Sequence, residues 1–265
     1  SNPDELKSVI RKELIETQET YCDERRTEIV EFYSDLTDED LIPEEDLIVT
    51  LSKEGYAKTQ PLDAYQAQNR GGTGKRAASL KDEDFVSKLF VANTHDTLLC
   101  FSSYGKVYWI KVYRLPRGGR NAKGRPIVNL LPLEKDERIQ AVLPVKEFND
   151  DQFIFMATES GSVKKTKLSA YSRPMKSGIK AIKLREGDRV VNAEITDGSK
   201  EIMLFSNSGK SIRFKETDAR PMGRVSQGVR GMRIEKDQRI ISLVVLEEGN
   251  ILVATENGFG KQTLK

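Results

Sequence analysis

Residues 68–76 read QNRGGTGKR, three glycines and three cations within nine positions. Glycine has no β-carbon, so a ligand can come close to the backbone N–H groups of such a loop. Arg70, Lys75 and Arg76 place positive charge beside that backbone. The chemistry this permits is anion binding, with phosphate the natural ligand. It is not the nucleotide loop G-x-x-x-x-G-K-[ST], because Gly71 to Gly74-Lys75-Arg76 has the wrong spacing. Other chemistry has little to stand on. His95 is the single histidine and sits in NTHDT, where it reads as a turn residue. Cys22 and Cys100 lie 78 positions apart without a CxxC spacing, so neither a zinc site nor a disulfide framework is implied. That usage fits a reducing compartment. No nucleophile–base set or metal cluster is visible, and an enzyme is the weakest reading.

The formal net charge of +2 hides an asymmetry. Residues 1–50 hold 16 acidic against 5 basic groups, and the other 215 hold 38 basic against 25 acidic. A basic body behind an acidic leader points to a polyanionic partner for the body. No signal peptide and no apolar run of membrane length is present, so no membrane partner is expected.

The elements that position these charges come from an internal repeat. Five segments share an apolar strand, a turn ending in glycine, and a second strand carrying cations: 46–60, 96–111, 151–167, 201–215 and 250–265. The turn glycines Gly55, Gly105, Gly161, Gly209 and Gly258 are 50, 56, 48 and 49 residues apart. They read as hairpin formers rather than phosphate cradles. A second series, Gly74, Gly124, Gly178 and Gly228, marks basic loops 50, 54 and 50 residues apart. An apolar strand follows each loop, at 82–92, 136–145, 187–195 and 237–246. Each unit of about 50 residues therefore holds about four short strands. Runs such as Phe153-Ile154-Phe155-Met156 lack alternation, as expected of strands covered on both faces. Blades of a propeller are covered in that way. The expected body is all-β and propeller-like over 46–265, its fifth unit stopping at Lys265 in mid-unit, as if truncated before the last blades. Ahead of it, Leu6, Val9, Ile10, Leu14 and Ile15 predict one amphipathic helix over residues 3–22, whose stripe must dock on the body or another chain. An acidic linker fills 35–46, so the leader domain is 1–45.

Cations recur at equivalent places after the hairpin turns: Lys58, Lys106, Lys111, Lys164, Lys165, Lys210, Arg213 and Lys261. They recur in the second loops as Arg120, Lys123, Arg125, Arg173, Lys176, Lys180, Arg224 and Arg230, with Arg70, Lys75 and Arg76 in the first. Equivalent positions in a radial repeat share a rim, so a cationic belt is expected. A long uniform polyanion, duplex DNA above all, suits such a belt through phosphate contacts and counterion release, without base reading.

The chain resembles the C-terminal domain of the DNA gyrase A protein. The resemblance rests on VANTHDTLLCFSSYGKVYWIKVYRLP (91–116), GRPIVNLLPLEKDERI (124–139), FMATESGSVKKT (155–166), GVRGMRI (228–234) and ATENGFGK (254–261). DERRTEI (23–29) looks like the end of the breakage–reunion region. Residues 68–76 stand where that family has its box, Q-[RK]-R-G-G-[RK]-G. Gln68, Arg70, Gly71, Gly72 and Gly74 match, while Asn69 and Thr73 replace basic residues. The resemblance implies a β-pinwheel, in which blades exchange strands, with up to six blades in the family. It implies DNA wrapping with positive handedness, so that the holoenzyme can introduce negative supercoils. The implied partners are the breakage–reunion domain of the same polypeptide and the gyrase B protein in an A2B2 assembly, in the bacterial cytoplasm on the chromosome. No cofactor is implied in this chain: ATP and magnesium serve the holoenzyme, and the catalytic tyrosine and the ATPase lie elsewhere. Two other readings stand beside it. One is the topoisomerase IV type of domain, which binds DNA without strong wrapping. The other is a propeller that serves as a protein-interaction platform and shows apolar residues on its rim.

Overall fold

The computed structural model describes residues 2–23, 27, 37–64, 84–119, 122–255 and 258–264. Contacts divide the chain into two units, Ser1–Leu41 and Ile42–Lys265. The first is led by helix α1 (Pro3–Tyr21). Asn2 caps it, its side chain accepting from the Asp4 N–H, and Asp4 and Glu5 sit in the first turn, where helix N-termini favour negative charge. Leu6, Val9, Ile10, Leu14 and Ile15 are all exposed. Among the described residues, no helix is long and apolar enough to cross a membrane.

The second unit is all-β. Strands β1 (Asp46–Ser52) and β2 (Tyr56–Pro61) form a hairpin, and β3 (Val86–Asn93) returns along β1. The pattern repeats with β4 (Thr97–Ser102), β5 (Lys106–Lys111), the two-residue β6 (Arg125–Pro126) and β7 (Ile139–Val145). It repeats again with β8 (Phe153–Thr158), β9 (Ser162–Lys167), β10 (Ile179–Lys180) and β11 (Val190–Thr196). The fourth unit has β12 (Glu201–Ser206), β13 (Ser211–Lys215), β14 (Val229–Arg230) and β15 (Ile240–Leu246), and a hairpin of β16 (Asn250–Ala254) and β17 (Gly260–Leu264) follows. The sheets order as β3-β1-β2-β6, β10-β5-β4-β7, β11-β8-β9-β14, β13-β12-β15 and β16-β17. Each two-residue strand thus joins the sheet of the preceding unit. The repeat alone predicts about four strands per unit; three stay at home and the fourth is lent backwards. Strand exchange, expected from the resemblance, is present.

The core explains the unalternating runs. Leu98 and Cys100 pack with Leu47, Val49 and Leu51 of the first blade. Their neighbours Leu99 and Phe101 pack the other way, on Ile154 and Met156. Phe155 and Ala157 then face Ile202 and Leu204. Strands β4 and β8 each serve two cores, so apolar residues are needed at nearly every position. Strand β3 differs, with Leu89 and Val91 exposed between less exposed neighbours. The inner strands β7, β11 and β15 touch one another across blades, whereas the lent strands lie at the far edge of each sheet. The lent strands therefore form the outer rim.

Candidate nucleic-acid interface

The basic loops of the second series end in the lent strands, and their geometry starts from glycine. Gly124 and Gly228 have φ of +84° and +86°, where L-residues are strained. A β-carbon at Gly124 would stand 2.3 Å from the Ala57 carbonyl oxygen, and at Gly228 2.4 Å from that of Val163. These glycines let the loop press flat on the receiving hairpin. The chain then bonds to the hairpin tip: Ile127 donates to the Gly55 carbonyl at 2.8 Å, Ala181 to that of Gly105 at 2.7 Å and Gly231 to that of Gly161 at 2.8 Å. Both glycine series are thus parts of one joint.

Three cations expected on the rim are inside the protein. Lys58 is 1% exposed, Lys164 0% and Lys165 4%. The Lys58 ammonium donates to the carbonyls of Gly119 and Ala122 at 3.1 and 3.0 Å. Lys164 donates to the Ala181 carbonyl at 2.6 Å and to that of Arg224. Lys165 donates to the Glu216 carbonyl at 3.0 Å, near the Glu216 carboxylate and over the Phe153 ring. Their ammonium groups are spent on loop carbonyls inside the protein, so the expectation that they meet DNA is corrected. Burial, with help from the Arg224 guanidinium, pulls the Lys164 ammonium down to about 7, and burial lowers Lys58 too. The matching position in the second blade is Tyr108, whose hydroxyl donates to the Glu137 carboxylate at 3.0 Å. Burial first, then Glu137, raises its pKa.

Other hairpin cations are engaged at the surface. Lys106 pairs with Glu134, Lys210 with Glu235 at 2.8 Å and Arg213 with Glu201. Lys111 donates to the His95 carbonyl at 2.9 Å. Lys261 is exposed. The loop cations are presented outward: Lys123, Arg125, Arg173, Lys176, Lys180 and Arg230 are exposed, and Arg224 is half-buried. Residues 68–76, with Gln68, Asn69, Arg70, Gly71, Gly72, Thr73, Gly74, Lys75 and Arg76, lie outside the described residues, as does Arg120. His95 does more than shape a turn: Nε2 lies 2.8 Å from the Ile42 carbonyl oxygen and Nδ1 3.5 Å from Glu44, anchoring the start of the second unit.

Sequence reasoning missed some cations. Arg220 is exposed in the loop before β14, in the same Arg-Pro-Met triplet as Arg173, and that recurrence was the available signal. Arg138, Arg189 and Arg239 are exposed just before β7, β11 and β15, and their carbonyls accept from Ser103, Glu159 and Asn207. Among the described residues no group of three His, Cys, Asp or Glu side chains could hold a metal ion.

Blades closed by a strand from the next unit, with cations gathered on the lent edge, define a β-pinwheel. The chain belongs to the family described as DNA gyrase C-terminal domain, beta-propeller, whose model matches residues 46–93, 96–146, 152–197, 200–247 and 249–264. The DNA gyrase A protein of Salmonella typhimurium is 54% identical over 261 residues, covering 98% of this chain and 30% of that protein. The DNA gyrase A protein of Escherichia coli is 54% identical over 244 residues, covering 92% and 28%. The chain thus spans less than a third of the length of these two relatives. Among solved structures, the C-terminal domain of DNA topoisomerase IV aligns with a TM-score of 0.70 and 31% identity, over 83% of this chain and 68% of that one. A DNA gyrase A C-terminal domain aligns at 0.64 and 30%, over 82% and 71%.

Proposed function

We propose that this chain binds duplex DNA along its outer rim and wraps it as the C-terminal part of a gyrase A protein. The observation that carries this reading is the placement of Lys123, Arg125, Arg173, Lys176, Lys180 and Arg230, all exposed on the loops and lent strands. Such side chains meet phosphates and release counterions without reading bases. Bending a duplex of 20–30 base pairs costs about 1–6 kcal/mol, which several phosphate contacts per blade offset. Residues 68–76 add a glycine-rich phosphate contact at the first loop, with Asn69 and Thr73 weakening it relative to the family box. The chain itself carries no catalysis in this reading. It serves an A2B2 holoenzyme in the bacterial cytoplasm, beside the breakage–reunion domain and the ATP- and magnesium-using gyrase B protein. The wrapped DNA is presented for strand passage, which introduces negative supercoils.

The test is topological. The chain is incubated with nicked circular plasmid, the nick is ligated, the protein is removed and linking number is read on a gel. A shift towards positive writhe that grows with protein supports wrapping; no binding at all overturns the reading. A topoisomerase IV-like role is the second reading, favoured by the 0.70 TM-score to that domain and by Asn69 and Thr73. It predicts binding with no shift in linking number.

A further inference from the structure

A groove of about 650 Å³ opens on the second blade, between the loop that follows β5 and the loop that leads into β10. Trp109, Arg114, Pro132, Pro174, Met175 and Lys176 line it, and no carboxylate is among its lining residues. Arg114 and Lys176 are exposed and make no ion pair among the described residues. The Trp109 indole N–H is committed to the Tyr171 carbonyl at 2.8 Å, so Trp109 offers the groove only an apolar ring. Met175 is 58% exposed. The second Arg-Pro-Met triplet does not do this: Met222 is half-buried and its N–H is tied to the Lys165 carbonyl at 2.8 Å.

Two free cations flanking an apolar, acid-free surface match a ligand that alternates charge with apolar matter. The sugar–phosphate edge of a duplex is such a ligand, with phosphates for Arg114 and Lys176 and deoxyribose and base edges for the rest. We propose that a segment of duplex DNA seats in this groove and that Met175 enters its minor groove as an apolar wedge. The inference rests on the DNA reading above and adds to it a place where the bend is concentrated. An unbranched thioether is flexible enough to enter a narrowing space. Inserted apolar side chains partly unstack a base step and kink the duplex, which suits a path that must turn from one blade to the next.

The test compares this chain with its Met175→Ser variant, which retains both cations. A duplex of about 40 base pairs carries 2-aminopurine at a TA step, where unstacking raises fluorescence. Wild type should raise the signal on binding, and Met175→Ser should lose that rise. Its linking-number shift should fall by about half, with the salt dependence of binding keeping its slope. Equal fluorescence and equal linking numbers with DNA bound would overturn the wedge and leave the DNA reading intact. A wild-type chain that binds no duplex would fail at the earlier step. An Arg114→Ala/Lys176→Ala variant is expected to lose duplex affinity. If it bound duplex normally but lost binding to a polyglutamate peptide, the groove would be a site for acidic peptides and the proposal would be wrong.

Discussion

Lys164 donates from Nζ to the carbonyl oxygen of Ala181 at 2.6 Å, and the same ammonium reaches the carbonyl of Arg224. Ala181 follows β10, which the third unit lends to the second blade, and Arg224 precedes β14, which the fourth lends to the third. One buried side chain thus ties two successive exchanges together. Lys164→Met would fill the space and leave both carbonyls without that donor. Unmet buried acceptors cost about 1–3 kcal/mol each, and relief from burying a charge offsets part of this. The expected loss is about 2 kcal/mol in urea unfolding, with amides 179–182 and 229–232 exchanging faster with deuterium. An unchanged midpoint would remove Lys164 from the joint.

The same lysine makes stability depend on pH. Its folded pKa is lowered to about 7 from 10.5 by burial and by Arg224. Below pH 7 both folded and unfolded chains carry the proton, and the folded state bears the full cost of the buried charge. Between about 7 and 10.5 the unfolded chain holds more protons, so stability rises with pH. The difference in Tm between wild type and Lys164→Met should therefore shift in favour of wild type from pH 6.5 to pH 9.5. Subtracting the variant cancels the buried Cys100 thiol, whose pKa burial raises to about 12, and the surface groups. A difference that stays flat would place the Lys164 pKa outside that window.

Gly228 tests the joint from the other side. Its φ of +86° and the Val163 carbonyl 2.4 Å from a would-be β-carbon leave alanine no place. Gly228→Ala should destabilise by about 2 kcal/mol or more. Gly223, in the same loop, has open space around it, and Gly223→Ala should be neutral or slightly stabilising. If thermal melts gave the two variants the same shift, close approach of the lent strand would not be the reason for Gly228.

Much of this architecture was legible because it repeats. The spacing of Gly55, Gly105 and Gly161 marks hairpins at fixed intervals, and runs such as Leu98-Leu99-Cys100-Phe101 show strands packed on both faces. Sequence does not show which lysines face water. Lys58, Lys164 and Lys165 sit on the same kind of strand as Lys106, Lys210 sits just ahead of one, and all look alike as cations after a glycine turn. Their fates divide on what distant segments bring: loop carbonyls over Lys58 and Lys164, and a carboxylate from the same unit, Glu134 or Glu235, beside Lys106 and Lys210. Those partners are 25 or more residues away along the chain for Lys106 and Lys210, and about 60 for Lys58 and for the Arg224 contact of Lys164. Local pattern cannot supply them.

The surface ion pairs give an opposing prediction. Glu235 holds Lys210, and Glu201 holds Arg213, whose pKa is raised by the hydrogen bond and charge of that carboxylate. Glu235→Gln and Glu201→Gln release each cation and remove one negative charge near the proposed DNA path. Affinity for duplex DNA should rise at low salt, and the slope of log K against log salt should steepen by up to about one. Titration by fluorescence anisotropy decides this, and unchanged affinity would mean that DNA does not pass over the fourth hairpin.

The rim and the interior should separate cleanly in salt dependence. Each phosphate contact contributes about 0.9 to the slope of log K against log salt. Alanine at Lys123, Arg125, Arg173, Lys180, Arg220 or Arg230 should lower the slope by about one for each residue that meets a phosphate, with Tm little changed because these side chains are exposed. Lys164→Met, assayed well below its melting temperature, should keep the wild-type slope while losing stability, since its ammonium touches carbonyls and no solvent. Slopes measured between about 50 and 200 mM salt test both halves. If Lys164→Met lowered the slope as much as Arg173→Ala in a folded protein, the sorting of cations into joint and rim would be wrong.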